Sequence, residues 1–322
     1  MSPCEPGAGV AKVVAFVKLG RPQFLIGGFL SFGLGAAAAV AGGARLDARA
    51  YAIAQAAITA FQLMTHYAND YFDLEADRAN LTPTRWSGGS RILPSGLLSP
   101  RVALVASLVF AATGLVLTAL GASGAWRGGV ATSALLIVVG ALAWGYSAPP
   151  VRLHSRGLGE LTTALAVTVG TPLVAFTAQG GHLDQARVLL LALLPLAGLQ
   201  FAMLLAIELP DAAGDAAVGK RTLVVRFGTP RGIALYRALL IAVYGSLPLA
   251  LRAGLPGRVA LAAAVAAPVA AWQVFSLGAS GAGAAPARWE AFTFRAVAMV
   301  AVTTAAELVA FASSATGAGP TQ

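Results

Sequence analysis

The sequence predicts an all-α integral membrane protein with nine transmembrane helices. Of its 322 residues, 57% are hydrophobic, and the mean hydropathy is +0.76. Only 11% are charged, against roughly 25% in soluble domains. Apolar stretches of about 20 residues recur along the whole chain. That length suits helices rather than the alternating segments of a membrane barrel. No polar stretch is long enough to fold outside the bilayer. One membrane-embedded domain over 1–322 is therefore expected, with 1–15 and 315–322 as flexible tails.

In chain order the expected spans are about 22–42, 50–68, 102–122, 128–146, 160–178, 187–207, 232–252, 257–277 and 292–314. The first follows Arg21-Pro22 and is long enough to cross a bilayer, so it reads as a span and not a cleaved leader. Small residues fill the spans, as in Ala36–Ala39, and let membrane helices pack closely. With the N-terminus in the cytoplasm, 15 Lys and Arg fall on that side. Six fall opposite: Arg45, Arg49, Arg127, Arg187, Arg252 and Arg258. This bias sets the orientation in the cell membrane. Basic residues scattered over short loops do not suggest a nucleic-acid partner, and no obligate protein partner is inferred. The single Cys4 excludes disulfides within the chain. His66, His154 and His182 are isolated and read as interface or loop histidines.

Two acidic clusters share one spacing. Asp70, Asp73 and Asp77 precede Glu208, Asp211 and Asp215 by 138 residues each. Within each cluster the carboxylates fall at relative positions 0, 3 and 7, one face of a helix. Both lie on the cytoplasmic side, in the two long connections of about 69–101 and 208–231. Long loops in tight proteins are usually functional. The repeat suggests two equivalent half-sites. Carboxylates packed so densely repel unless a cation holds them, and divalent cations bound to a diphosphate are the natural candidate. Lys220, Arg221 and Arg226 follow the second cluster, and Arg78 and Arg91 the first. Both signs at one membrane face suit a substrate with a diphosphate head and an apolar tail. Ionisation of an allylic diphosphate would need a cation-stabilising aromatic, with Tyr146 the main candidate. Tyr71, Phe72 and Trp144 read as an interfacial belt.

Asn69-Asp70-x-x-Asp73-x-x-x-Asp77 resembles the first signature of the UbiA superfamily of intramembrane prenyltransferases. Asp211-x-x-x-Asp215, followed by Gly219-Lys220-Arg221-Thr222-Leu223, resembles the second. With the Arg21-Pro22 pair, the resemblance covers most of the chain. It implies nine helices around a central cavity and Mg²⁺-dependent transfer of a prenyl group from a prenyl diphosphate to an aromatic acceptor. It makes Asn69, Asp73, Asp77, Asp211 and Asp215 the metal–diphosphate site, supported by Asp70. Lys220 would bind diphosphate, with Arg91 a second cation. Tyr146 would lie near the reacting carbon. Arg21 would either face the cavity or serve as a cytoplasmic anchor. Asp73, Asp211, Tyr146 and Lys220 are the expected catalytic group. Two features depart from the pattern. Glu208 stands where many relatives have Asn or Asp, and Pro210 should interrupt the helix, placing Asp211 and Asp215 on a new first turn.

Gly157-Leu158-Gly159-Glu160-Leu161 resembles the menaquinone branch, which prenylates 1,4-dihydroxy-2-naphthoate with loss of the ring carboxylate. Other aromatic acceptors, such as 4-hydroxybenzoate, are the alternative. Glu160 is either an acceptor-side base or an anion at a helix N-terminus, the simpler reading. A membrane cation transporter is the rival from another class. Its charges should lie near the bilayer midplane, where only Glu307 is acidic.

Overall fold

A computed structural model describes residues 8–276 and 286–317. Every regular element among them is helical. In order these are α1 (Ala8–Leu19), α2 (Pro22–Ala41), α3 (Ala48–Phe72), α4 (Leu74–Ala79), α5 (Pro100–Leu120), α6 (Gly129–Ser147) and α7 (Gly159–Thr163). They continue with α8 (Thr171–Ala178), α9 (Arg187–Ala217), α10 (Leu223–Phe227), α11 (Thr229–Arg252), α12 (Gly257–Ala263), α13 (Ala267–Ser276) and α14 (Pro286–Gly317). A π-helical stretch, Ala164–Gly170, joins α7 to α8 into one segment, and α12 and α13 form another.

Eight segments are long and apolar enough to cross a bilayer. The other expected span is α3, 25 residues long but less apolar. Its polar residues have a place to go: Gln62, Thr65, His66 and Asn69 line an internal cavity. Residues 8–15, expected in a tail, belong to α1, and 315–317 to α14. The tail residues 1–7 and 318–322, Cys4 and position 277 lie outside the described residues.

Helix ends follow local chemistry. The Asp47 carboxylate accepts from the N–H groups of Arg49 and Ala50 at 3.0 Å each, capping α3. Ser99 caps α5, whose first residue is Pro100. The start of α2 is sharper. Arg21 adopts a left-handed conformation (φ 48°) ahead of Pro22, turning the chain out of α1. The hydroxyl of Tyr67 donates to the Phe16 carbonyl at 2.8 Å and pins α1 to α3.

Pro210 does not end α9. The helix runs unbroken from Arg187 to Ala217, so Asp211 and Asp215 do not open a new helix. Proline forfeits only its own N–H bond here. Its carbonyl also accepts from the Thr82 hydroxyl at 2.8 Å. The break falls in the other cluster. α3 stops at Phe72, Asp73 is the joint, and α4 starts at Leu74.

Packing relies on small residues, since lipid supplies no hydrophobic drive between helices. Gly35 of α2 sits against the Pro172 carbonyl of α8, and a Cβ there would collide with backbone. In the half built from α9, α11, α13 and α14, Leu199, Leu205, Tyr236 and Leu240 are buried together. The Tyr236 hydroxyl donates to Gln273, whose amide donates to the Phe292 carbonyl at 3.2 Å. Stranding one such buried polar group costs about 1–3 kcal/mol, so this chain fixes how three helices meet.

Candidate active site at one end of the bundle

A cavity of about 470 Å³ opens between α2, α3, α6, α9, α14 and the α7–α8 segment. Ile58, Phe61, Val139, Leu142, Met203 and Val300 make its inner wall apolar. Asn69, Asp73, Asp77, Asp211, Asp215 and Lys220 line its mouth. The two acidic clusters therefore face each other across one opening, as their spacing and placement predict.

Asp73 is the hub. Its Oδ1 contacts His154 Nε2 at 2.6 Å, and its Oδ2 meets Lys220 Nζ at 3.0 Å. The Asn69 amide donates to Asp73 Oδ2 at 2.9 Å and to Ser147 Oγ at 3.1 Å. Burial alone would raise the Asp73 carboxyl, but Lys220 and His154 hold it well below the usual carboxylate range. Lys220 also reaches Asp215 at 3.3 Å and so bridges the clusters. Burial would lower the Lys220 ammonium, yet Asp73 and Asp215 outweigh it and keep it charged.

Asp77 is the counterpoint. Burial pushes its carboxyl up to about 8, opposed by Arg21 and reinforced by Asp70 and Asp73. Its buried Oδ2 has no hydrogen-bond partner among the described residues. Gly89, at φ +73°, brings the loop backbone against this carboxylate, where a Cβ would collide with it. Asp211 is fully engaged: Asn80 Nδ2 donates to Oδ1 at 2.7 Å and the Gly88 N–H to Oδ2 at 2.8 Å. These bonds fasten the loop after α4 onto α9. Trp86 of that loop stands between Phe24 and Phe294, with ring centroids 5.7 and 6.0 Å away.

Arg21 lines the cavity, donating to Asn69 Oδ1 at 3.0 Å and pairing with Asp70. Burial would lower its guanidinium, but Asp70, Asp77 and Asp73 raise it. Tyr146 lines the same wall, its ring 5.2 Å from that of His154.

Two expected substrate contacts lie elsewhere. Asp70 is not in the cavity wall: Asn69 and Asp73, one turn apart at the end of α3, both line it, and Asp70 is turned off that line. Arg21 and Ser90 saturate it instead. Arg91 turns its guanidinium to the main-chain carbonyl of Asp77 and braces α4. Glu160 lies in the first turn of α7, at the helix N-terminus where the sequence places it; it caps no N–H, and neither of its buried oxygens meets a donor among the described residues. His154, expected as an interface or loop residue, is instead a buried member of the site, its Nδ1 held by the Tyr146 carbonyl. Nothing in its neighbourhood in sequence signals this. Asn80 and the glycines Gly88 and Gly89 were likewise not singled out, although the length of their loop marked the region as functional.

The sequence profile of the UbiA prenyltransferase family matches residues 29–296. Solved structures share the fold at low identity. A UbiA homologue from Aeropyrum pernix K1 is 17% identical, with TM-score 0.65 over 89% of this chain and 98% of that one. A UbiA homologue from Archaeoglobus fulgidus bound to DMAPP and Mg²⁺ is 15% identical, with TM-score 0.63 over 90% and 98%. A digeranylgeranylglyceryl phosphate synthase structure is 16% identical, with TM-score 0.60 over 94% and 99%. No curated protein matches the chain. The transporter reading falls with the family match: this multi-pass membrane protein belongs to the UbiA prenyltransferase family and is a prenyltransferase.

Proposed function

We propose that the chain transfers a prenyl group from a prenyl diphosphate to an aromatic acceptor, 1,4-dihydroxy-2-naphthoate, at the cytoplasmic face of the cell membrane. One observation carries this reading. Two facing sets of carboxylates, bridged by Lys220, stand over an apolar cavity among membrane helices. The diphosphate would sit among the polar side chains, and the tail would run inward along Phe61, Val139 and Met203.

The residues suit Mg²⁺. Asp77 Oδ2 is a buried carboxylate oxygen with no hydrogen-bond partner among the described residues. No group of three or more acidic, His or Cys side chains among the described residues forms a ready-made metal cage. That accords with an ion that takes one or two carboxylates and completes its shell with water and substrate phosphate. Asn69, Asp73, Asp77, Asp211 and Asp215 would hold more than one such ion between them, with one or two carboxylates to each. Bound there, Mg²⁺ would neutralise charge on the departing diphosphate. Lys220 and Arg21 would bind diphosphate oxygens by charge-assisted hydrogen bonds. Tyr146 would present its ring to the allylic carbon as positive charge develops. Trp86, packed between Phe24 and Phe294, would shield that charge from water. His154 would hold Asp73 in place.

The naphthoate acceptor is supported by the Gly157–Leu161 stretch, which places Glu160 beside the cavity wall. The deciding experiment incubates purified protein with Mg²⁺, geranyl diphosphate and a panel of dihydroxynaphthoate, 4-hydroxybenzoate and homogentisate, read by mass spectrometry. Prenylated, decarboxylated naphthoate is expected. Transfer only to 4-hydroxybenzoate would reject this acceptor while leaving the reaction class intact.

A further inference from the structure

One pair of acids at the cavity has no part in the diphosphate site. Glu160 on α7 and Glu208 on α9 lie within hydrogen-bonding reach of each other where these helices pack. Glu160 is fully buried and Glu208 is 7% exposed. Neither oxygen of Glu160, nor Oε2 of Glu208, meets a donor among the described residues. Every other acid at the mouth has bonds to donors or an ion pair except Asp77, which the metal reading uses. Glu208 lines the cavity wall and Glu160 stands behind it.

Two carboxyls this close repel when both carry charge, so a proton delivered to either is held well. Without a donor, acceptor lone pairs stay open on both groups. What they lack is an O–H donor, which a phenolic substrate carries. The charged and titratable groups facing Glu208 are Glu160 from α7, Asp215 from its own helix, Lys220 after α9, and Tyr146 from α6. Tyr146 is the ring assigned above to the reacting carbon, so a substrate against it lies next to Glu208.

We propose that Glu208 receives the hydroxyl proton of the aromatic acceptor, with Glu160 as the positioning residue that shares it. This rests on the transferase reading above. The hydroxyl O–H bond breaks towards Glu208, and its electrons enrich the ring. A ring carbon bonds to the allylic carbon as the allylic C–O bond breaks, its electron pair leaving with diphosphate. The ring then sheds carbon dioxide, and the hydroxyl takes its proton back from the pair. No further reactant is needed.

The test uses full-length protein, Mg²⁺, geranyl diphosphate and dihydroxynaphthoate, with Glu208→Gln and Glu160→Gln. Glu208→Gln should lower kcat about a hundredfold or more, the usual worth of a placed base. Binding of geranyl diphosphate with Mg²⁺, by equilibrium dialysis, should stay within about twofold of the parent. Glu160→Gln should lower kcat about tenfold and displace the acid limb of its pH profile, which a packing defect would not move. The proposal is overturned if both variants keep the parent kcat. It is also overturned if Glu208→Gln loses geranyl diphosphate binding together with turnover, as a metal ligand would. A parent that binds geranyl diphosphate yet prenylates no phenol overturns the aromatic-acceptor reading and this proposal together.

Discussion

The two acidic clusters have identical spacing and opposite construction. The first is split after Asp73 between α3 and α4. The second rides one continuous helix through Pro210. Their leading members differ. Asp70 leaves the cavity and is saturated by Arg21 and Ser90. Glu208 stays in the cavity wall without a donor from elsewhere among the described residues for its buried oxygen. Their middle members differ too. Asp73 holds a cation and a histidine, whereas Asp211 holds a loop. Equal spacing thus does not make equal half-sites.

If Asp73 is the hub, its loss should be the most damaging change. Asp73→Ala should cut kcat/KM by at least about a thousandfold, and Asp211→Ala by about a hundredfold, in product formation followed by mass spectrometry. Equal losses would restore the picture of matched halves. Chelation with EDTA should abolish transfer in parent and variants alike, reversed by added Mg²⁺. His154→Ala should cost about ten- to hundredfold, as a group that orients a ligand does, mostly in kcat. Asp70→Asn should cost less than about tenfold, because it acts through Arg21 and Ser90 and not on the cavity itself; a loss as large as that of Asp73 would place it back among the ligands. Pro210→Ala should leave turnover within about twofold, since the helix already passes through that position. A large loss there would mean that Pro210 sets the aim of Asp211.

The spans were legible because a bilayer demands about 20 apolar residues and the chain supplies them repeatedly. α3, expected as the span 50–68, is less apolar than the rest because Gln62, His66 and Asn69 face the cavity. The mouth residues Asp73, Asp77, Asp211, Asp215 and Lys220 were legible from local spacing and charge. What local rules could not reach was long-range partnership. His154 meets Asp73 across 81 residues, and Asn80 meets Asp211 across 131. Those contacts exist only once α3, α6 and α9 have packed. Arg91 misled for the same reason: its charge pointed to phosphate, but folding gave it the Asp77 carbonyl. Pro210 misled because its rule describes an isolated helix, while Thr82 and the surrounding bundle support this one.

The fastening of the loop to Asp211 has a consequence for the timing of order. Asn80 and Gly88 fix both carboxylate oxygens as the chain folds. Each oxygen keeps a lone pair after accepting one bond. The rotational entropy of that side chain is therefore surrendered before any cation arrives. A ligand that meets Asp211 finds it already aimed, whereas one that meets Asp77 must still fix its orientation.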